Sequence, residues 1–137
     1  MEGLTMSITA YRRTLREVES PRQIERRLLT TITGRMEQFA EEYDSAESSF
    51  VRLTVLSSGL REAIAENQKI WSAMKYDLTL PENQLPADLR ASLISLANWV
   101  EKTSSGILGG RAGVRALTTV NNNIIVALSG QVFRESV

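Results

Sequence analysis

The chain of 137 residues contains no cysteine and no histidine. Their absence removes disulfide bonds, thiolate nucleophiles, imidazole bases and nearly all transition-metal sites. The sequence also lacks a run of roughly 20 apolar residues that could cross a membrane. No basic region followed by an apolar signal stretch occurs near residue 1. We therefore predict a cytoplasmic protein that is not an enzyme, has no catalytic residues and binds no metal or cofactor.

A net charge is also missing, because 16 basic residues balance 16 acidic ones. No overall field would recruit nucleic acid or an anionic membrane. The charges are nevertheless unevenly distributed: residues 1–35 hold seven arginines against four glutamates, and residues 36–66 hold two basic against seven acidic side chains. Such blocks indicate faces of opposite sign, which either neutralise each other between neighbouring helices or steer a partner.

Prolines are few, with three in the chain, and alternating apolar and polar runs typical of strands are scarce. Hydrophobic residues make up 42% of the sequence, which is ordinary for a globular protein. A chain of this length suits one domain with one modest core. We predict an all-α fold, a single-domain helical bundle of about five helices that spans residues 1–137.

The helices are predicted from apolar residues that recur at spacings of three and four. Ser20 and Pro21 mark the start of one helix, Pro81 ends the longest one, Pro86 opens the next, and the Gly109–Gly110 pair closes it. The predicted helices cover approximately residues 6–18, 21–43, 50–78, 89–107 and 114–131, after which we expect residues 132–137 to fray.

One apolar stripe on each predicted helix should form the core. Within the longest helix, Gly59 is expected to be a tolerated weak point that costs about 1 kcal/mol relative to alanine. The stripes comprise Ile8, Tyr11 and Leu15; Ile24, Leu28, Ile32, Met36, Phe39 and Tyr43; Phe50, Leu53, Leu56, Leu60, Ile64, Trp71, Met74 and Leu78; Leu89, Leu93, Leu96, Val100 and Ile107; and Val114, Leu117, Val120, Ile124 and Leu128.

Two clusters resemble ligand sites but are better explained by structure. Glu41, Glu42 and Asp44 lack the regular spacing and turn glycine of a calcium loop, so we interpret them as a solvated helix end. The glycines between residues 106 and 113 lack the Gly-Lys-Ser/Thr ending and preceding strand of a phosphate loop. We predict that they form a helix cap and an interhelical turn.

The only candidate nucleic-acid patch is a group of arginines near residue 1, formed by Arg12, Arg13, Arg16, Arg22, Arg26 and Arg27. Readers of single-stranded RNA usually combine cations with exposed aromatic side chains on which bases stack. Apart from Tyr11, aromatic residues are missing from this region. We therefore do not expect direct RNA binding, and interpret these arginines as solvated or paired between helices.

Several asparagines lie within or beside the apolar stripes and are candidates for buried amides. Asn121–Asn123 interrupt the stripe of the last helix, and at least one of them should face inward or toward a ligand. Asn67 lies among apolar neighbours and is expected to be buried and to hydrogen-bond a turn backbone. Trp71 and Trp99 are interpreted as core anchors, although tryptophan is also common in binding hot spots.

Several blocks of the sequence resemble the FlaF family of bacterial flagellar biosynthesis regulators. They are AYRRT and SPRQIERRLL near the start, N-x-x-x-W from Asn67 to Trp71, the turn DLTLPENQLPADLR with the LRASLISLANWV that overlaps it, and VNNNIIVAL near the end. The resemblance covers most of the chain and depends on the order and spacing of the blocks. Asn122 and Asn123 depart from it, since more ordinary helix residues would be expected there.

The resemblance implies a protein that works with flagellin, with the regulator FlbT and with the flagellar type III export apparatus. Flagellin awaiting export exposes apolar, helix-prone terminal segments, and a groove in a small bundle would cover one. Our leading hypothesis is a flagellin secretion chaperone that binds such a helix. The partner-binding residues predicted for this role flank the proline-rich turn: Asn67, Trp71, Asn83, Leu85, Pro86 and Arg90.

Two alternatives remain at this point. The first is a post-transcriptional regulator of flagellin that acts through FlbT or through flagellin messenger RNA. The second is a purely structural bundle that dimerises through surplus apolar faces.

Overall fold

The computed structural model describes residues 21–136, with side chains for residues 22–129. Every regular element in this part of the chain is helical, which confirms the predicted all-α fold. The helices are α1 (Pro21–Asp44), α2 (Ser49–Val55), a π-helical turn (Leu56–Leu60), α3 (Arg61–Thr79), α4 (Ala87–Leu108) and α5 (Val114–Ser136). The predicted helix at residues 6–18 lies outside the described residues.

Local sequence explains where these helices begin and end. The Ser48 hydroxyl accepts a hydrogen bond from the backbone N–H of Val51 and caps α2. Residue Leu80 is extended, as expected before Pro81, and α3 ends at Thr79. At the end of α4, Gly110 has a φ of 94°, the N–H of Arg111 donates to the Gly106 carbonyl, and the Gly110 N–H donates to Ile107. This Schellman motif confirms the predicted glycine cap.

The helices form a single domain in which consecutive long elements run antiparallel. The α2 helix, the π-helical turn and α3 act as one bent rod, so four rods surround the core. Helix α1 lies centrally, with α5 on one side and α3 on the other, while α4 packs on α3. The core side chains come from all four rods; the largest that are fully buried include Leu29, Met36, Ile64, Ile107 and Leu117.

The bent rod corrects one prediction about the longest helix. Gly59 is not an ordinary helical residue, because its φ is 126° inside the π-helical turn, and the Phe39 ring lies where a β-carbon would approach. The turn changes which face of the rod points inward. As a result Val55 and Leu56 are buried, whereas Phe50 is 79% exposed and Leu53 is also exposed. The expectation that Phe50 and Leu53 belong to the core was wrong.

Three further expectations need correction. On α1, Leu29 is fully buried while Leu28 and Ile24 are exposed, so the inward face is rotated by one residue there. Trp99 is 38% exposed and is not the core anchor that we predicted. Helix α5 continues to Ser136, beyond the predicted end near residue 131.

Side chains from one helix bind the backbone of another at the end of the bundle that holds the α1–α2 and α4–α5 turns. We call this the closed end and define it by residues 41–52 and 107–115. The Asp44 carboxylate accepts hydrogen bonds from the backbone N–H groups of Gly113, Val114 and Arg115 at 2.8–3.0 Å, and so caps α5. The Tyr43 hydroxyl donates to the Ile107 carbonyl at 2.5 Å.

Arg52 completes the closed end. Its Nε donates to the Gly110 carbonyl at 2.5 Å and its Nη1 to the Ala46 carbonyl at 2.8 Å. Side chains from the end of α1 and from α2 therefore fasten both turns at this end, and one of them, Asp44, belongs to the cluster that we interpreted from the sequence as a solvated helix end. Asp44 in particular has a capping role, whereas Glu41 and Glu42 are exposed.

Candidate functional site

A cleft of about 490 Å³ opens at the other end of the bundle, which holds the α3–α4 turn. We call this the open end. The cleft is lined mainly by apolar side chains from α3, α4 and α5, with polar groups from α1 and the turn at its rim. The lining residues are Arg22, Glu25, Trp71, Met74, Asp77, Leu78, Glu82, Asn83, Gln84, Leu85, Leu89, Leu93, Ile124, Ala127 and Leu128.

The cleft exists because α4 and α5 do not pack along their full lengths. They make few contacts with each other, and near the closed end Gly113 lies against Thr103 and Ile107. At the open end Leu89 and Leu93 of α4 face the cleft from one side, and Ile124 and Leu128 of α5 face it from another. Helix α3 forms the floor between them.

The floor is held by a buried hydrogen-bond network centred on Asn121. Its Oδ1 accepts a hydrogen bond from the Trp71 indole N–H at 2.9 Å, and its Nδ2 donates to Asn67 Oδ1 at 2.7 Å and to Thr33 Oγ1 at 3.0 Å. All four side chains are buried, and Trp71 is only 4% exposed. The network thus links α1, α3 and α5 and fixes the orientation of the Trp71 ring that lines the cleft.

This network tests two predictions about buried amides. Asn121 does face inward, as expected for at least one residue of the asparagine run, while Asn122 and Asn123 are exposed. Asn67 is fully buried as predicted, but its carbonyl oxygen accepts from a side chain rather than from a turn backbone. Its Nδ2 has no hydrogen-bond partner among the described residues.

The rim of the cleft carries more acidic than basic groups. Among the described residues, Glu25, Asp77 and Glu82 lie at the rim together with the Arg22 guanidinium. The pKa of Glu25 is raised above its ordinary value, first by partial burial and then by the nearby Asp77 carboxylate, while Arg22 opposes the shift. A cationic group placed at this rim would therefore be favoured.

The structure places the six predicted partner-binding residues in different settings. Trp71, Asn83 and Leu85 line the cleft. Asn67 is buried beneath it, Pro86 is the exposed residue before α4, and Arg90 is half-buried in the first turns of α4. Asn83 also shapes the turn, since its Oδ1 accepts from the Leu85 N–H at 3.1 Å. A role in partner binding stays a prediction for all six.

Most of the apolar lining was assigned to the core when only the sequence was considered. Met74, Leu78, Leu93, Ile124 and Leu128 follow the same helical period as residues that are buried between helices. Met74 and Leu78 are themselves buried, whereas Leu93, Ile124 and Leu128 are only partly buried because α4 and α5 diverge. No periodic signal in the sequence predicts that divergence. Leu89 is 44% exposed at the lip of the cleft.

The chemistry of the cleft suits binding by apolar contact. No group of three or more acidic side chains in the described part of the chain is placed to hold a metal ion. Among the helices that the structure describes, none is both long and apolar enough to cross a bilayer. An open apolar cleft with a few polar groups at its rim is typical of a site that recognises a ligand or an amphipathic helix.

Comparison with known families finds a match to the model of flagellar protein FlaF over residues 7–128. The match includes every helix that lines the cleft and the turn between α3 and α4. The family description names no enzymatic activity. Comparison with curated proteins and with solved structures finds no match. Since the family match extends over well more than half of the sequence, the chain belongs to the FlaF family of flagellar proteins.

Proposed function

We propose that this FlaF protein is a secretion chaperone that binds an apolar helical segment of flagellin in the open-end cleft. By covering that segment before export, the protein would support flagellin synthesis and secretion. The observation that carries the proposal is the cleft itself, a mainly apolar surface that described residues of α3, α4 and α5 form in a member of a flagellar family.

The shape of the cleft supports a helix as the ligand. An amphipathic helix presents anchors at positions i, i+3, i+4 and i+7, which would meet apolar walls on both sides and the Trp71 ring on the floor. Each fully buried aliphatic anchor contributes about 1.5–3 kcal/mol before the costs of association are subtracted. Four anchors at these positions would contribute about 6–12 kcal/mol, part of which offsets the cost of association, so a helix that uses the whole stripe is needed for a complex that forms and later dissociates at the export apparatus.

The charge at the rim supports a polypeptide rather than RNA as the ligand. Glu25, Asp77 and Glu82 would repel a phosphate backbone from the cleft. The competing hypothesis, post-transcriptional control through FlbT or flagellin messenger RNA, would need a different surface. Within α1, the arginine patch includes Arg26, which is exposed, whereas Arg22 and Arg27 already have interactions.

Isothermal titration calorimetry tests the proposal directly. The purified protein is titrated with full-length flagellin, and with flagellin lacking the segment at one end or the other, at low and at high salt. We expect a complex that loses most of its affinity when one of the two segments is removed and that changes little with salt, because apolar burial dominates.

Two results would contradict the chaperone proposal. One is that no complex forms with any flagellin although circular dichroism shows both proteins to be folded. The other is that flagellin messenger RNA binds tightly at low salt and weakly at high salt, which would favour the regulator hypothesis.

A further inference from the structure

The sequence before α1 has the chemistry of a ligand for the cleft. Leu4, Ile8, Tyr11 and Leu15 follow spacings of four, three and four, which place them on one face if the segment is helical. Residues 4–16 contain three arginines and no acidic residue. The segment therefore combines an apolar stripe with a positive charge, the pattern of a helix that binds in a groove.

The cleft has the complementary chemistry. Its walls are apolar, and among the described residues at its rim the carboxylates of Glu25, Asp77 and Glu82 outnumber the guanidinium of Arg22. Partial burial beside Asp77 raises the pKa of Glu25, which indicates that this carboxylate lies where added positive charge would stabilise its ionised form.

The cleft is also within reach of the segment. Two of its rim residues, Arg22 and Glu25, belong to the first turns of α1, so the chain that precedes Pro21 joins the bundle beside the cleft mouth. Residues 17–20 can span at most about 13 Å when extended. Ser20 precedes a proline, which disfavours an uninterrupted helix into α1 and favours a change of direction.

We propose that residues 4–16 dock in the open-end cleft of their own chain when no partner is bound. A short tether gives an attached ligand an effective concentration in the millimolar range, so even weak apolar contacts are enough for occupancy. Flagellin would then have to displace this segment. The proposal goes beyond the chaperone function because it concerns the isolated protein and is tested without flagellin.

Paramagnetic relaxation enhancement in the full-length protein tests the docking, and the absence of cysteine makes site-specific labelling straightforward. A spin label is attached at Thr9→Cys, a polar position opposite the apolar stripe. We expect the amide signals of Leu85, Leu89 and Ala127 around the cleft to lose most of their intensity. The amides of Phe50 and Leu53 near the closed end should keep theirs.

A mixed sample separates docking within one chain from docking between chains. In it, the isotope-labelled protein carries no spin label and the spin-labelled protein carries no isotope. We expect no broadening in this sample. Marked broadening of cleft amides in the mixture, or no preference for the cleft in the directly labelled chain, would overturn the proposal.

A matched pair of variants tests the stated contacts. Ile8→Ser with Leu15→Ser removes two apolar anchors and should restore most of the cleft intensities, whereas Thr5→Ser with Thr14→Ser leaves the stripe intact and should leave them broadened. Equal broadening in the two variants would show that the stripe does not hold the segment in the cleft. A protein that passes these tests but binds no flagellin would retain the docking proposal and lose only the chaperone function.

Discussion

The same four rods form a hydrogen-bonded end and an open, apolar end of the bundle. At the closed end, Asp44, Tyr43 and Arg52 bind backbone groups of the facing turn, so the helix ends there are satisfied within the chain. At the open end, α4 and α5 diverge and leave apolar side chains beside an acidic rim. The difference shows that a small bundle can keep an apolar cleft at one end when polar contacts fasten the other.

The buried network between the two ends offers the largest predicted effect. Asn121→Leu removes the partners of the Trp71 indole N–H, Asn67 and Thr33 together. Because each buried polar group left unpaired costs about 1–3 kcal/mol, we expect the free energy of unfolding to fall by about 3 kcal/mol. Urea denaturation measures the change.

The neighbouring residue supplies the control for that substitution. Asn122 is exposed and donates to Glu37 at the surface, so Asn122→Leu should change the free energy of unfolding by less than about 0.5 kcal/mol. Similar losses in the two variants would mean that the network does not support the floor of the cleft.

Fastening of the closed end is tested by Asp44→Ala. This substitution leaves three backbone N–H groups at the start of α5 without their carboxylate, and should lower the free energy of unfolding by about 2 kcal/mol. Urea denaturation again measures the loss, with the exposed Glu42→Ala as control. If affinity for flagellin fell as strongly as stability while the protein remained folded, the separation between a fastening end and a binding end would be wrong.

The bend in the second rod is tested by two glycine substitutions with opposite expected signs. Gly59→Ala places a β-carbon at a φ of 126° against Phe39 and should destabilise the protein by about 1.5 kcal/mol. Gly34→Ala, on an exposed helical face with nothing near the new β-carbon, should stabilise it by about 0.5 kcal/mol. Thermal melting of both variants measures the two signs, and a stabilising Gly59→Ala would argue for a regular helix across residues 56–60.

The smallest predicted change concerns Tyr43 and its dependence on pH. Tyr43→Phe removes one hydrogen bond to the Ile107 carbonyl, which still accepts from the Gly110 N–H, so we expect a loss of about 1 kcal/mol at neutral pH. Burial raises the pKa of Tyr43, with a smaller opposing effect of Arg52 and a reinforcing one of Asp44.

The raised pKa of Tyr43 predicts how the stability of the protein changes in alkaline solution. Tyr43 ionises at a lower pH in the unfolded chain than in the folded protein. Its contribution to the free energy of unfolding is therefore fully present below pH 10 and is lost as the pH rises through the folded-state pKa. Above pH 10 the stability of Tyr43→Phe should therefore fall less steeply than that of the wild type. Equal slopes in Tyr43→Phe and the wild type would refute the assignment.

Much of the fold could be predicted from apolar periodicity. The bounds of α1 and α4 agree with the expected ones, because the Ser20–Pro21 start and the Gly109–Gly110 end are local signals. The prediction for the second rod was wrong at Gly59, because a glycine inside an apolar helical pattern does not by itself report a positive φ and a π-helical turn. Phe50 and Leu53 were consequently assigned to the wrong face.

The site was harder to predict because exposure depends on how helices diverge. Trp71, Asn83 and Leu85 were identified through the family resemblance and do line the cleft. Leu93 and Ile124, however, have the same spacing as true core residues. The roles of Asp44 and Asn121 could not be predicted either, because their hydrogen-bond partners lie about 70 and 50 residues away. Long-range contacts of this kind leave no trace in a local pattern.

The most direct test of the central claim compares one apolar position at each end. Leu89→Glu changes the lip of the cleft, and Phe50→Glu changes an exposed residue near the closed end. Both side chains are exposed, so both variants should remain folded, and calorimetry with flagellin then reports binding alone. We predict at least a tenfold loss of affinity, about 1.4 kcal/mol, for Leu89→Glu and no change for Phe50→Glu. Unchanged binding by Leu89→Glu, or a loss confined to Phe50→Glu, would contradict the proposed site.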